Sequence, residues 1–181
     1  MKPPQPCPWQ RHANIAACVL TGDNNVVIEW LNGVAQCREY SQLLIVKSLT
    51  ERLHRAWLSE WLGPAAAHCD WCRHVYREYN KRADQLATRA ILTKECHEEV
   101  FVVPSGSPTL VQAFFDGGRR DGISGCGWHI EGCWGESEEW QTILEASAYL
   151  GDKSSVAAEL EGACQAIRSL LDLAQVWRAR A

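Results

Sequence analysis

The sequence predicts an α/β protein built on a five-stranded mixed sheet flanked by helices. Two observations lead there. Short apolar runs bounded by Gly, Asp and Asn alternate with longer stretches whose apolar residues recur at helical spacing. The first half of the chain reads β-α-α-β-α and the second half β-β-β-α. Neither half is a complete layered domain, because two isolated strands leave their edges unsatisfied. The two halves therefore belong to one sheet.

The bulk properties fit that picture. A chain of 181 residues suits one domain. Hydrophobic residues make up 46% and charged residues 22%, the balance of an ordinary globular protein. No apolar run approaches the ~20 residues that span a bilayer. Residues 1–8 lack the apolar stretch of a signal peptide, so an intracellular protein without a membrane partner is expected. The net charge of −4 argues against a nonspecific nucleic-acid binder but suits an acidic metal site. The nine cysteines are scattered and fall partly inside predicted strands and helices, which reads as reduced thiols. His68, Cys69, Cys72 and His74 make a ligand-like cluster. In a strand, alternation puts Cys69 on one face and Cys72 with His74 on the other, and no second CxxC pair completes a zinc set. The nine Trp follow no period and are assigned to core or half-buried surface, none to base stacking.

The elements follow in order. Residues 1–14 are Pro-rich and polar, a leader. Residues 15–22 form a buried strand, Asp23-Asn24-Asn25 can cap a short helix over 26–32, and Gly33 ends it. Residues 38–62 read as a long amphipathic helix, with Leu43, Val46, Leu53, Trp57 and Trp61 near one face, stopped by Gly63-Pro64. A strand over 70–76 and a polar loop over 77–79 come next. Asn80 is a candidate cap for a helix over 81–92, whose inner face is Ala83, Leu86, Ala87, Ala90 and Ile91. Residues 93–109 read as a linker with one apolar patch at Val100, Phe101, Val102 and Val103. Strands over 110–116, 123–131 and 139–149 stand at hairpin spacing, punctuated by Gly117-Gly118, Asp121-Gly122 and Gly135. Ser154 or Ser155 caps a helix reaching Trp177, with Val156, Leu160, Ala163, Ile167, Leu170, Leu171 and Ala174 as its inner stripe. Segments 15–92 and 110–177 together make the one domain.

Four carboxylates stand out. Asp116 ends an apolar strand, Glu159 lies in the last helix, Asp23 ends another apolar strand and Asp84 opens a helix. Each has an ordinary structural reading. Asp116 before Gly-Gly suits a turn, Asp23 suits a helix cap, and Asp84 suits the positive end of a helix dipole. Glu159 is harder to assign that way, because it borders the apolar stripe beside Val156 and Ala163, where a solvated Glu would more often sit opposite.

Taken in the order second half then first, the chain resembles the ribonuclease H family over about 150 residues, closest to its compact plant and retroelement branch. The matching segments are Phe115-Asp116-Gly117-Gly118, the run 155–163 around Glu159, the run 22–33 from Gly22-Asp23, and the run 74–87. The run 74–87, with Asn80-Lys81-Arg82-Ala83-Asp84, is the most specific. The resemblance implies a circularly permuted ribonuclease H-like fold in which residues 93–109 join the family's usual termini. At ~3.3 Å per extended residue such a connection reaches up to ~60 Å, ample across a small domain.

The resemblance further implies a metal-dependent endonuclease that cuts the RNA strand of RNA–DNA hybrids. Asp116, Glu159, Asp23 and Asp84 would be both the catalytic residues and the ligands of two Mg²⁺ or Mn²⁺ ions, since oxygen-only ligands suit those metals. Asp116 would bridge the ions, Glu159 and Asp23 completing one site and Asp84 the other. Asn25, Ser155, Gly117, Gly118 and Arg119 would contact the substrate. Arg120, Lys81 and Arg82 could meet phosphates or simply be solvated surface charge. Ser155 departs from the amide side chain the family often uses there. The short loop over 76–80 lacks the mobile histidine of many relatives, and His74, in the preceding strand, does not fill that role. Two alternatives stand beside the enzyme: a catalytically silent binding module on the same scaffold, and half-domains completed by a domain-swapped dimer. A monomer is the expected state.

Overall fold

The computed structural model describes residues 17–35, 44–45, 47–48, 51, 72–101, 108–134 and 139–180. The described elements are strand β1 (Ala17–Gly22), helix α1 (Asn25–Leu31), strand β2 (Cys72–His74), a 3₁₀ turn (Arg77–Tyr79) and helix α2 (Lys81–Thr93). Strands β3 (His97–Val100), β4 (Leu110–Arg120), β5 (Ile123–Cys133) and β6 (Trp140–Gly151) follow, then helix α3 (Ser155–Arg180). The expected leader, most of the expected 38–62 helix and residues 68–71 of the Cys/His cluster lie outside the described residues. Of that helix, Leu44, Ile45, Lys47, Ser48 and Glu51 are described, and they are helical.

The strands form one mixed sheet of six in the order β2-β1-β4-β5-β6-β3. β4, β5 and β6 are an antiparallel meander. β1 lies parallel to β4 on one side and to β2 on the other. The two halves of the chain thus meet at the β1–β4 pairing, where Ala17 faces Leu110 and Thr21 faces Phe114.

The expected strand over 70–76 is described only as Cys72–His74, with Val75 and Tyr76 beyond its end, and two further differences bear on the site and the sheet. The expected strand over 110–116 continues to Arg120, so Gly117 and Gly118 lie within β4 and Asp116 is not at its end. The turn is Asp121-Gly122, both at positive φ (53° and 78°), the two-residue geometry whose twist matches a hairpin. The second difference corrects the expected linker and the strand count. His97–Val100 is a sixth strand, paired antiparallel with β6 from His97–Ser147 to Val100–Leu144. Its residues are mostly exposed, so no alternating apolar pattern marks it, and hydrogen bonding to β6 alone makes it a strand. Phe101 N–H extends the ladder to Ile143 O at 2.9 Å.

Helices cover both faces. Gly127 and Trp128 are neighbours on β5 and point opposite ways. A Cβ on Gly127 would stand 2.4 Å from Ala87 N, so α2 lies directly on that face. Trp128 donates its indole N–H to Ser169 Oγ of α3 on the other, at 3.0 Å. There Leu160, Ile167 and Leu170 pack with Leu20, Phe115 and Ile130, all fully buried. Each such side chain contributes about 1.5–3 kcal/mol relative to exposure. The expected inner stripe of α3 is the buried one, with Val156 partly covered.

Candidate acidic metal centre

β1 and β4 run parallel and side by side, which brings Asp23, just beyond β1, to Asp116 in β4. α3 adds Glu159. Its start is set by Ser154, whose hydroxyl accepts from Ala157 N–H at 3.1 Å, so Ser154 rather than Ser155 is the cap. Its closeness to the sheet is set by Gly117: a Cβ there would stand 2.2 Å from Glu159 N. The result is three carboxylates, Asp23, Asp116 and Glu159, each offering an oxygen, with these oxygens all within 4.8 Å of one another.

That geometry is electrostatically costly without a cation. Burial pushes the Asp116 carboxyl up to about 8, and the charges of Asp23 and Asp84 add to the rise. Burial likewise pushes Glu159 up to about 9, helped by Asp116 and Asp23 and opposed by the Asn24 amide and the Gly117 backbone N–H. Glu159 Oε2 is buried and has no hydrogen-bond partner. A buried carboxylate oxygen without a donor, on a residue whose carboxylate stands beside two others, has the chemistry of a cation ligand. Hard oxygen donors fit Mg²⁺ or Mn²⁺.

Asp84 stands apart from this trio. It lines the same cavity, of about 330 Å³, but its Oδ1 pairs with Arg77 Nη2 at 2.5 Å. Asp116 and Asp23 also favour the charged Arg77. The structure thus brings three of the four expected carboxylates into mutual reach and the fourth onto the cavity wall.

The expected substrate contacts divide. Ser155, Gly117, Gly118 and Arg119 line the cavity. Asn25 is not among its lining residues: it begins α1 and donates to Glu29 Oε1 at 2.8 Å, while its neighbour Asn24 reaches Glu159. Gly117 is required by the helix packed on it, whereas a Cβ on Gly118 would meet only Ile91 Cδ1 at 3.6 Å. Arg119 pairs with Asp152 at 2.8 Å. Arg82 grips Glu145 of β6 with two donors, tying α2 to the sheet and holding that carboxyl below its usual range. Asn80 does not cap α2 with its side chain. It is fully buried and donates to Phe115 O at 2.9 Å, pinning the turn beside Asp116. His74 Nε2 bonds Asp23 O at 3.0 Å. The Cys72 thiol is buried, and burial pushes it far up.

Sequence reasoning missed Arg77 and Asn24 as parts of the site. Both stood in runs read as loop or cap; Arg77 meets Asp84 seven residues on through the turn between them, and Asn24 meets Glu159 only through the packing of distant segments. No protein-family model, curated protein or solved structure matches the chain. No described helix is long and apolar enough to cross a membrane.

Proposed function

We propose that the protein is a divalent-metal-dependent nuclease that hydrolyses the RNA strand of RNA–DNA hybrids. The observation that carries the metal site is the Asp23–Asp116–Glu159 trio, with oxygens within 4.8 Å and Glu159 Oε2 buried without a partner. The parallel pairing of β1 with β4 supports the permuted ribonuclease H-like reading, because it sets both aspartates at one sheet edge. Hybrid specificity rests on the sequence resemblance alone.

In this reading Asp116, Asp23 and Glu159 would hold one Mg²⁺ or Mn²⁺, and Asp116 with Asp84 a second; such ions would supply Lewis-acid activation of water and charge neutralisation for phosphodiester hydrolysis. The chain orients them. Gly117 lets α3 close on β4, Asn24 steadies Glu159, and Asn80 fixes the turn that precedes Asp84. Ser155, Gly118 and Arg119 line the cavity, and in this reading they would meet the nucleic-acid backbone.

The test is cleavage of an end-labelled RNA–DNA hybrid with Mg²⁺, with Mn²⁺ and with EDTA, beside duplex DNA and duplex RNA. Cleavage of the hybrid's RNA strand only with metal is expected. A folded, metal-supplied protein that leaves every substrate intact overturns the enzymatic reading. One observation favours the silent binding module instead: Asp84 is held by Arg77 rather than turned into the trio. That module would bind hybrid without cutting it. A monomer of 20.3 kDa and a swapped dimer of twice that mass are distinguished by light scattering.

A further inference from the structure

We infer that Arg77 is a built-in cation that keeps the second metal position closed. The first divalent ion enters the Asp23–Asp116–Glu159 trio, and the second binds at Asp84 in competition with the Arg77 guanidinium. The inference rests on the metal-centre reading proposed above and adds an order of loading to it.

The geometry has three parts. Arg77 Nη2 sits 2.5 Å from Asp84 Oδ1, and Arg77 lines the same cavity as Asp116 and Asp23. A guanidinium and a metal ion compete for the same carboxylate charge and oxygen, so while Arg77 holds Oδ1 the Asp84 carboxylate offers a second ion only Oδ2. Second, the backbone of Arg77 is anchored while its side chain stands largely in solvent. Tyr79 N–H bonds Tyr76 O at 2.8 Å and Asn80 N–H bonds Arg77 O at 3.0 Å, and the Asn80 amide is fastened to Phe115 O. The Arg77 side chain is 77% exposed, against 31% for Asp84. Third, exposed ion pairs are weak and compete poorly with a doubly charged ion. The latch therefore yields to metal but lowers the affinity of the second ion. In its absence Asp84 would face Asp116 uncompensated, a repulsion the guanidinium relieves.

The test is Mn²⁺ titration of the full chain by calorimetry, with bound ion counted by electron paramagnetic resonance, for the parent, Arg77→Gln, Arg77→Lys and Asp84→Asn. The parent is expected to show a tight class of one ion and a weaker second class. Arg77→Gln should strengthen the weaker class about 1.4- to fivefold, the range expected when an exposed pair is removed, and leave the tight class within about 1.3-fold. Arg77→Lys, which keeps the charge, should lie near the parent. Asp84→Asn should abolish the weaker class. A weaker class that Arg77→Gln leaves unchanged or weakens overturns the latch while sparing the metal centre. A parent that binds no Mn²⁺ at millimolar concentration overturns both. Circular dichroism of each variant separates these results from misfolding.

Discussion

Gly117 lies against the backbone of Glu159: a Cβ on Gly117 would stand 2.2 Å from Glu159 N and from Ala158 C. The missing side chain lets α3 approach β4 closely enough for the Glu159 carboxylate to join Asp116. Gly117→Ala should therefore push the helix off the strand. The expected cost is about 1–3 kcal/mol of stability, as for other overpacked sites, with metal affinity reduced at least tenfold. Thermal melts and Mn²⁺ calorimetry check this. Parent-like affinity in Gly117→Ala would show that the contact does not set the site.

Asp116→Asn should abolish metal-dependent cleavage and leave the fold intact. The amide keeps the shape of Asp116 but loses its charge, and it removes the repulsion with Asp23, Asp84 and Glu159. Stability without metal is expected to be unchanged or slightly higher. Denaturant unfolding in EDTA and the hybrid assay measure the two effects, and parent-rate cutting by this variant would end the metal mechanism.

The raised carboxyls make stability depend on pH. Asp116 at about 8 and Glu159 at about 9 in the folded chain stand well above their ordinary values of 3.8 and 4.5. Between about pH 4 and pH 9 the folded protein therefore holds more protons than the unfolded one, and stability falls as pH rises. Below about pH 4 their contribution is fully present, and it is lost through pH 8–9. In EDTA the melting temperature should drop by several degrees between pH 6 and pH 9. Excess Mg²⁺ or Mn²⁺ should flatten that slope, because ions bind only the ionised trio of the folded state. A slope that is identical with and without metal would count against the site.

β3 should matter to stability and not to chemistry. It closes the β6 edge through four residue pairs and carries none of the cavity residues. Replacing residues 95–100 with a Gly/Ser stretch of equal length should leave hybrid cleavage within a few-fold. The cost in stability should be about 1–3 kcal/mol, from lost ladder bonds at net values of ~0.5–1.5 kcal/mol each, partly regained by bonds to water. Loss of cleavage in a folded replacement would assign this segment to the active site.

Much of the architecture was legible from residue pattern. β5, β6, α2 and α3 carry strong periodicity and clear stops, so their bounds lie within about three residues of expectation. The α/β class and the joining of both halves followed from the edge requirement of isolated strands. Asp23, Asp116 and Glu159 were singled out from their local runs and the family resemblance. The tertiary structure decided the rest. β3 has no buried face and hence no pattern; only the free edge of β6 makes it a strand. Gly117-Gly118 looked like a turn, but both lie within β4 and α3 requires a bare backbone at Gly117. Asn80 looked like a cap, but the buried Phe115 carbonyl takes its amide. Asp84 looked equivalent to the other acids, yet Arg77 lies closer to it than they do. In each case the deciding partner is distant in sequence or sits on a turn whose course depends on packing. Local propensity and period determine which elements exist; contacts between them determine which polar groups meet.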